Sequence, residues 1–218
     1  MLTLESIINA DEKIAEKGRI LAEGIDQMIN GRICFSEHIH YLYIIKELMG
    51  EKCQSYLEIG TLHGGSMILA MQTKYKCNFF GVDTFKFYGK EIDEYSNTKV
   101  SLDNTTKNIE KNNLYKHKFK LFKGNSHDGK TINNVKANVK KVDLLFIDGD
   151  HTERGVKKDF NDYSPLVRNG GIIMFDNYGQ PKVWTGVKKG VDKLDFGGWN
   201  VIGQMGYSYV IQRLAENG

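Results

Sequence analysis

Apolar side chains recur along this chain in two rhythms. In the first 50 residues they keep helical spacing: Leu4, Ile7, Ile8, Ile14, Leu21, Ile25, Met28 and Ile29 stand among charges, and Ile39, Tyr41, Tyr43, Ile44, Ile45 and Leu48 follow. Asn30-Gly31 separates the two segments, Ser36 is placed to cap the second, and Gly50 to end it. From Ser55 onward the rhythm changes. Short apolar runs near 55–60, 78–83, 118–123, 142–148 and 170–176 predict buried strands, and the stretches near 64–74, 101–113, 128–139, 153–165 and 183–195 predict helices. Such alternation implies an α/β fold, a mostly parallel sheet with helices on both faces. The last apolar pair, Trp199 to Gly203 and Tyr207 to Ile211, is joined by only three residues, which forces an antiparallel C-terminal hairpin. No repeat or linker interrupts the pattern. It predicts one domain over 1–218: a helical cover over 1–50, as sheet flank, substrate lid or dimer contact, and a ligand-binding core over 51–218.

The core begins with Ser55-Tyr56-Leu57-Glu58-Ile59-Gly60-Thr61-Leu62-His63-Gly64-Gly65-Ser66, a strand that turns through glycines into a helix. Open α/β sheets hold nucleotide-like ligands at that edge. About 23 residues beyond Gly60, the next strand ends in Asp83, a spacing suited to a carboxylate that receives ribose hydroxyls. A dinucleotide fingerprint wants glycine where Leu62 stands, so that pyrophosphate can approach the backbone. Glu58 would be poorly placed beside a phosphate and well placed beside a cation or an amino group. S-adenosylmethionine has ribose hydroxyls, an amino group and a sulfonium but no phosphate, and it fits the turn better.

Two later strands end in acids at the same edge: Ile147-Asp148-Gly149-Asp150-His151 and Phe175-Asp176-Asn177. If the strands are neighbours, Asp148, Asp176 and Asn177 converge as hard oxygen ligands suited to Mg²⁺, Ca²⁺ or Mn²⁺. The plainer alternative is that Asp148 or Asp150 caps the following helix and Asp176-Asn177 is a turn. His151 or Asp150 could take a proton from a hydroxyl polarised at such a site. His63 in the turn is expected to pack on the ligand, and His38 and His40 on the cover could at most reach a substrate. Asn125 and Ser126, after the third strand, can meet an adenine edge or cap the next helix. The long connection Thr84 to Lys99 mixes aromatics and charges at the ligand edge, as a mobile substrate loop or a solvated insertion.

Composition narrows the picture further. The chain has 218 residues, 40% of them apolar, enough for a substantial core, and no apolar run of membrane length. Three cysteines, Cys34, Cys53 and Cys77, lack metal-type spacing and suit buried thiols in a reducing cytoplasm. A net charge of +3 is too small to argue for nucleic acid.

The ordered set Glu58-x-Gly60 with Gly64-Gly65-Ser66, Gly81-Val82-Asp83-Thr84, Gly124-Asn125-Ser126, Ile147-Asp148-Gly149-Asp150-His151, and Leu166 to Gly171 followed by Phe175-Asp176-Asn177 resembles class I S-adenosylmethionine-dependent methyltransferases. The match is nearest the metal-dependent macrolide-sugar and aminocoumarin-sugar O-methyltransferases, with catechol O-methyltransferases further off. The resemblance runs from about Ser55 to the C-terminus. It implies a Rossmann-like three-layer sandwich whose seven-stranded sheet ends in an antiparallel strand. It also implies a cofactor site that includes Glu58, Gly60, Thr61, Gly64, Gly65, Ser66, Asp83, Thr84, Asn125, Ser126 and Asp148. A divalent metal, usually Mg²⁺, is implied at Asp148, Asp176 and Asn177. The sugar enzymes usually carry a second aspartate where this chain has Asn177, as catechol-type enzymes do not. His151 matches the base of the macrolide-sugar version and Asp150 that of the aminocoumarin-sugar version, and the chain carries both. The acceptor implied is a small-molecule or sugar hydroxyl. Rival readings are an RNA or adenine N-methyltransferase, which lacks its proline-rich run here, and a cofactor-binding protein without turnover. No membrane partner is expected, and a homodimer through the N-terminal helices is one use for the cover.

Overall fold

The computed structural model describes residues 2–33, 38–180, 182 and 184–215. The helical spacing of the first 50 residues yields α1 (Leu4–Ile8), α2 (Glu12–Met28) and α3 (His40–Met49). The first segment splits because Asp11 accepts the Lys13 N–H at 2.8 Å and starts a new helix. Gly50, at φ +53°, ends α3 as expected; the cap assigned to Ser36 lies outside the described residues, as does Cys34.

The core follows as β1 (Ser55–Ile59), α4 (Gly65–Met71), β2 (Asn78–Asp83), a small hairpin of β3 (Ile92–Asp93) and β4 (Thr98–Lys99), α5 (Leu102–Asn112) and β5 (Lys118–Lys123). It continues with α6 (Gly129–Asn138), β6 (Val142–Ile147), α7 (Glu153–Tyr163), β7 (Val167–Phe175), α8 (Thr185–Val191), β8 (Trp199–Met205) and β9 (Ser208–Arg213). The main sheet has seven strands in the order β5-β2-β1-β6-β7-β9-β8. β9 pairs antiparallel with both β7 and β8, and the other pairs are parallel. β7 begins three residues earlier than the apolar run implied, because Val167 already pairs with Val142 before a bulge. The α/β three-layer outline read from the sequence is the one observed.

Alternation along the strands divides the core in two. Leu144 and Phe146 of β6 face α2, α3 and α4, whereas Leu145 and Ile147 face α6, α7 and α8. The N-terminal helices are therefore built into one face of the core: Leu42, Ile45 and Ile25 are buried with Ile68 and Tyr56. Strand order reverses between β1 and β6, and there a crevice opens beyond the carboxyl ends of the strands.

Candidate active site

Glycines build the floor. Gly60 leaves β1 at φ +93°, and a Cβ there would overlap the Asp148 carbonyl oxygen, so the turn and the tip of β6 meet backbone to backbone. Gly60 N–H donates to Val82 O at 2.9 Å and Asp148 N–H to Ile59 O at 2.8 Å, locking three strand tips together. The crevice above is a cavity of about 880 Å³. Gly60, Thr61, Gly65, Ser66, Asp83, Thr84, Asn125, Ser126, Asp148, Asp150, His151 and Asn177 all line it.

Three of the expected site residues lie elsewhere. Gly64, at φ +86°, caps α4 and faces Ile109 of α5. Glu58 is fully buried beneath the cavity, where Tyr56 Oη donates to its Oε2 at 2.5 Å. Burial pushes its carboxyl up to about 8, against the pull of the Tyr56 and Ser66 hydroxyls, and Oε1 accepts no hydrogen bond among the described residues. Asp176, 1% exposed, lies behind the wall rather than on it. Asp83 is also occupied: Oδ2 takes the Leu62 N–H at 2.8 Å and Oδ1 the Phe85 N–H at 2.5 Å, which braces the glycine turn from the neighbouring strand. Thr61 Oγ1, buried on the wall, has no hydrogen-bond partner among the described residues.

At the tips of β6 and β7 the acids are taken up by histidines. Ile147 and Phe175 are in register, and Asp176 N–H donates to Ile147 O at 3.0 Å, so the two tips are side by side as the apolar runs implied. His151 Nε2 lies 3.0 Å from Asp148 Oδ1, and His38 Nε2 lies 2.8 Å from Asp176 Oδ1. Burial, followed by the charge of Asp176, raises the Asp148 carboxyl to about 6 in spite of His151. For His151, burial alone would lower the imidazole, but the Asp148 contact and the charges of Asp148, Asp176 and Asp150 outweigh it and leave it raised. Asp150 turns toward the helix instead: Oδ1 accepts the Thr152 N–H at 2.9 Å, while Thr152 itself caps α7. Among the described residues no group of three or more His, Cys, Asp or Glu side chains is arranged to hold a metal ion.

Long-range residues escaped the sequence reading. Asp93, 0% exposed in β3, receives Arg32 Nε at 2.8 Å, His63 Nε2 at 3.1 Å and the Tyr95 N–H at 3.0 Å. The segment 84–99 is thus tied to the glycine turn and to the N-terminal cover, with Phe85 and Phe87 buried. Its Tyr88 stacks on Trp184 at 5.9 Å between ring centroids, and Trp184 lies 4.4 Å from the His151 ring. His63, lowered by its burial, lines the cavity and also holds Asp93. The length and aromatic content of 84–99 marked it as ligand-side. Nothing in the sequence marked its partners Arg32 and Trp184.

A family model for a methyltransferase domain matches residues 57–178, more than half of the chain. The chain belongs to this methyltransferase family. The methyltransferase is 33% identical over 180 residues to uncharacterized protein R132 of Acanthamoeba polyphaga mimivirus, covering 81% of this chain and 76% of that one. Its fold is similar to that of NovP, an O-methyltransferase (TM-score 0.62, 16% identity, 93% and 98% of the two chains). It is also similar to the Bacillus cereus O-methyltransferase solved with SAH (0.57, 14%, 97% and 95%) and to MycE of the mycinamycin pathway, solved with Mg and SAH (0.56, 14%, 89% and 54%). The architecture is that of class I S-adenosylmethionine-dependent methyltransferases. No helix among the described residues is long and apolar enough to cross a membrane.

Proposed function

We propose that the methyltransferase methylates a hydroxyl of a small molecule or sugar, with His151 as the base. The observation that carries this reading is the His151–Asp148 pair, 3.0 Å apart at the wall of a cavity whose other side is the glycine turn. S-adenosylmethionine fits the residues present. Glu58 Oε1 and Thr61 Oγ1 are buried without hydrogen-bond partners among the described residues, and burial favours the neutral Glu58 carboxyl in a place where an amino group would ionise it. Glu58, Gly60, Thr61, Gly65, Ser66, Asp83, Thr84, Asn125, Ser126 and Asp148 would hold it, with Gly64 shaping the turn. When bound, it supplies an electrophilic methyl carbon on a sulfonium.

The chain's own part is proton handling and positioning. Asp148 accepts from Nε2 of His151, which leaves Nδ1 as the ring nitrogen able to take the acceptor's hydroxyl proton. Trp184 packs against that ring and restricts its rotation. Asp150, bent back to the start of α7, adds negative charge that favours the imidazolium after transfer. Asp148, Asp176 and Asn177 carry oxygen donors of the kind a divalent cation takes, Mg²⁺ by analogy with MycE. His151 faces Asp148 and His38 faces Asp176, however, so an ion there would have to displace those imidazoles. Such an ion would stabilise a developing alkoxide.

The test is SAH formation from S-adenosylmethionine across a panel of sugar, phenol and natural-product hydroxyls. Turnover should need an acceptor, and chelation should stop it while calorimetric SAH binding persists. SAH binding with no turnover on any hydroxyl would favour a binding protein instead. Turnover that survives chelation would remove the cation and keep His151.

A further inference from the structure

Beyond the residues assigned above, one buried charge sits under the cavity with no assigned task. Asp159 of α7 is 0% exposed, and neither carboxylate oxygen makes an aligned hydrogen bond among the described residues. Its Oδ1 lies 3.2 Å from Nε2 of His127, whose side chain is one-fifth exposed and lines the cavity beside Asn125 and Ser126. Its other oxygen fills the space below Gly149, where a Cβ would come within 3.1 Å. One turn further along α7, the buried Tyr163 donates its hydroxyl to Ser126 O at 2.9 Å. Two struts from one helix therefore hold the loop Gly124–Asp128, whose tip is itself pinned by the His127 N–H on Asn125 Oδ1 at 2.8 Å. A buried carboxylate is costly unless paired, so the pair resists displacement of His127.

We propose that Asp159 and Tyr163 are positioning residues for the nucleobase-side loop, and that the His127–Asp159 ion pair sets how tightly the nucleoside end of the cofactor is held. This rests on the cofactor reading above. His127 is raised by the Asp159 contact against the lowering effect of burial. Asp150, from the loop after β6, also raises it, and Lys158 of α7 lowers it. A raised imidazole keeps the pair intact below its own pKa and loses it as pH climbs through that value, so nucleoside binding should weaken on the alkaline side.

The experiment is calorimetric binding of SAH to the full chain across the histidine range, from about pH 6 to about pH 9, for the wild type, Asp159→Asn, His127→Gln and Tyr163→Phe. Unliganded thermal unfolding of each protein serves as the folding control. Glu58 titrates in all four proteins, so the difference between curves isolates the pair. The wild type should lose about tenfold in affinity with rising pH relative to His127→Gln, the ratio that matches a one-unit pKa difference between free and bound states. Asp159→Asn should be weak and equally flat, and Tyr163→Phe should be weaker without changing the slope. If Asp159→Asn does not fold, His127→Gln, altered at a partly exposed side chain, decides alone. Wild-type and His127→Gln curves that coincide overturn the proposal. A wild type that binds no SAH at any pH overturns the cofactor reading as well.

Discussion

The two halves of the cavity are made by opposite means. On the glycine-turn side backbone N–H groups donate to acceptors on neighbouring strands or in their own loop, no more than 22 positions away: Leu62 to Asp83, Gly60 to Val82, His127 to Asn125. On the side of the β6 and β7 tips they are side-chain contacts, one local, His151 to Asp148 across three positions, and one recruited from afar, His38 to Asp176 across 138. A shape shared by every ligand of a fold can be written into consecutive residues. A surface that chooses and activates one substrate has to be assembled from separate elements, where single replacements can change it without touching the frame.

The sharpest way to separate the halves is His151→Ala. Turnover on any accepted hydroxyl should fall ~10²–10⁴-fold, the usual worth of a positioned base, while calorimetric SAH binding stays within about twofold. Loss of SAH binding instead would join the two halves into one. Gly60→Ala should strike the frame: a side chain driven into the Asp148 carbonyl from a positive φ should destabilise by ~3 kcal/mol or more in urea unfolding and abolish SAH binding. Equal stability would mean the turn can open. His38→Ala leaves the buried Asp176 without its imidazole and should cost ~1–3 kcal/mol of stability, with SAH affinity retained. Tyr88→Ala, on an exposed side chain, should move stability by less than ~0.5 kcal/mol and raise only the KM for the acceptor. An effect on SAH affinity would place Tyr88 in the other half.

What was legible in the sequence follows the same divide. The strand tips at Gly60, Asp83, Asp148 and Phe175 could be read because these strands are mostly apolar and each runs into a glycine or an acid at its end. The antiparallel hairpin was forced by three intervening residues. The histidine contacts were not readable. His151 stood near Asp148 by spacing alone, but that His38 would serve Asp176 depends on a residue ahead of α3 packing against the turn between β8 and β9, which no local pattern encodes. Asp83 and Glu58 could be read as acids beside a cofactor cavity, but the contacts they already make could not. The structure gives both a prior occupation, Asp83 in bracing the turn and Glu58 in a buried contact with Tyr56.

The hairpin that closes the sheet has one more effect. Its turn presses on His38: Tyr207 meets the imidazole edge-on at 5.2 Å, and a side chain at Gly206 would collide with it. His38 is thereby held from two sides, by Asp176 at the tip of β7 and by the turn of the C-terminal hairpin. A strand pair that only closes the rim of the sheet thus also fixes the orientation of a buried imidazole on the N-terminal cover.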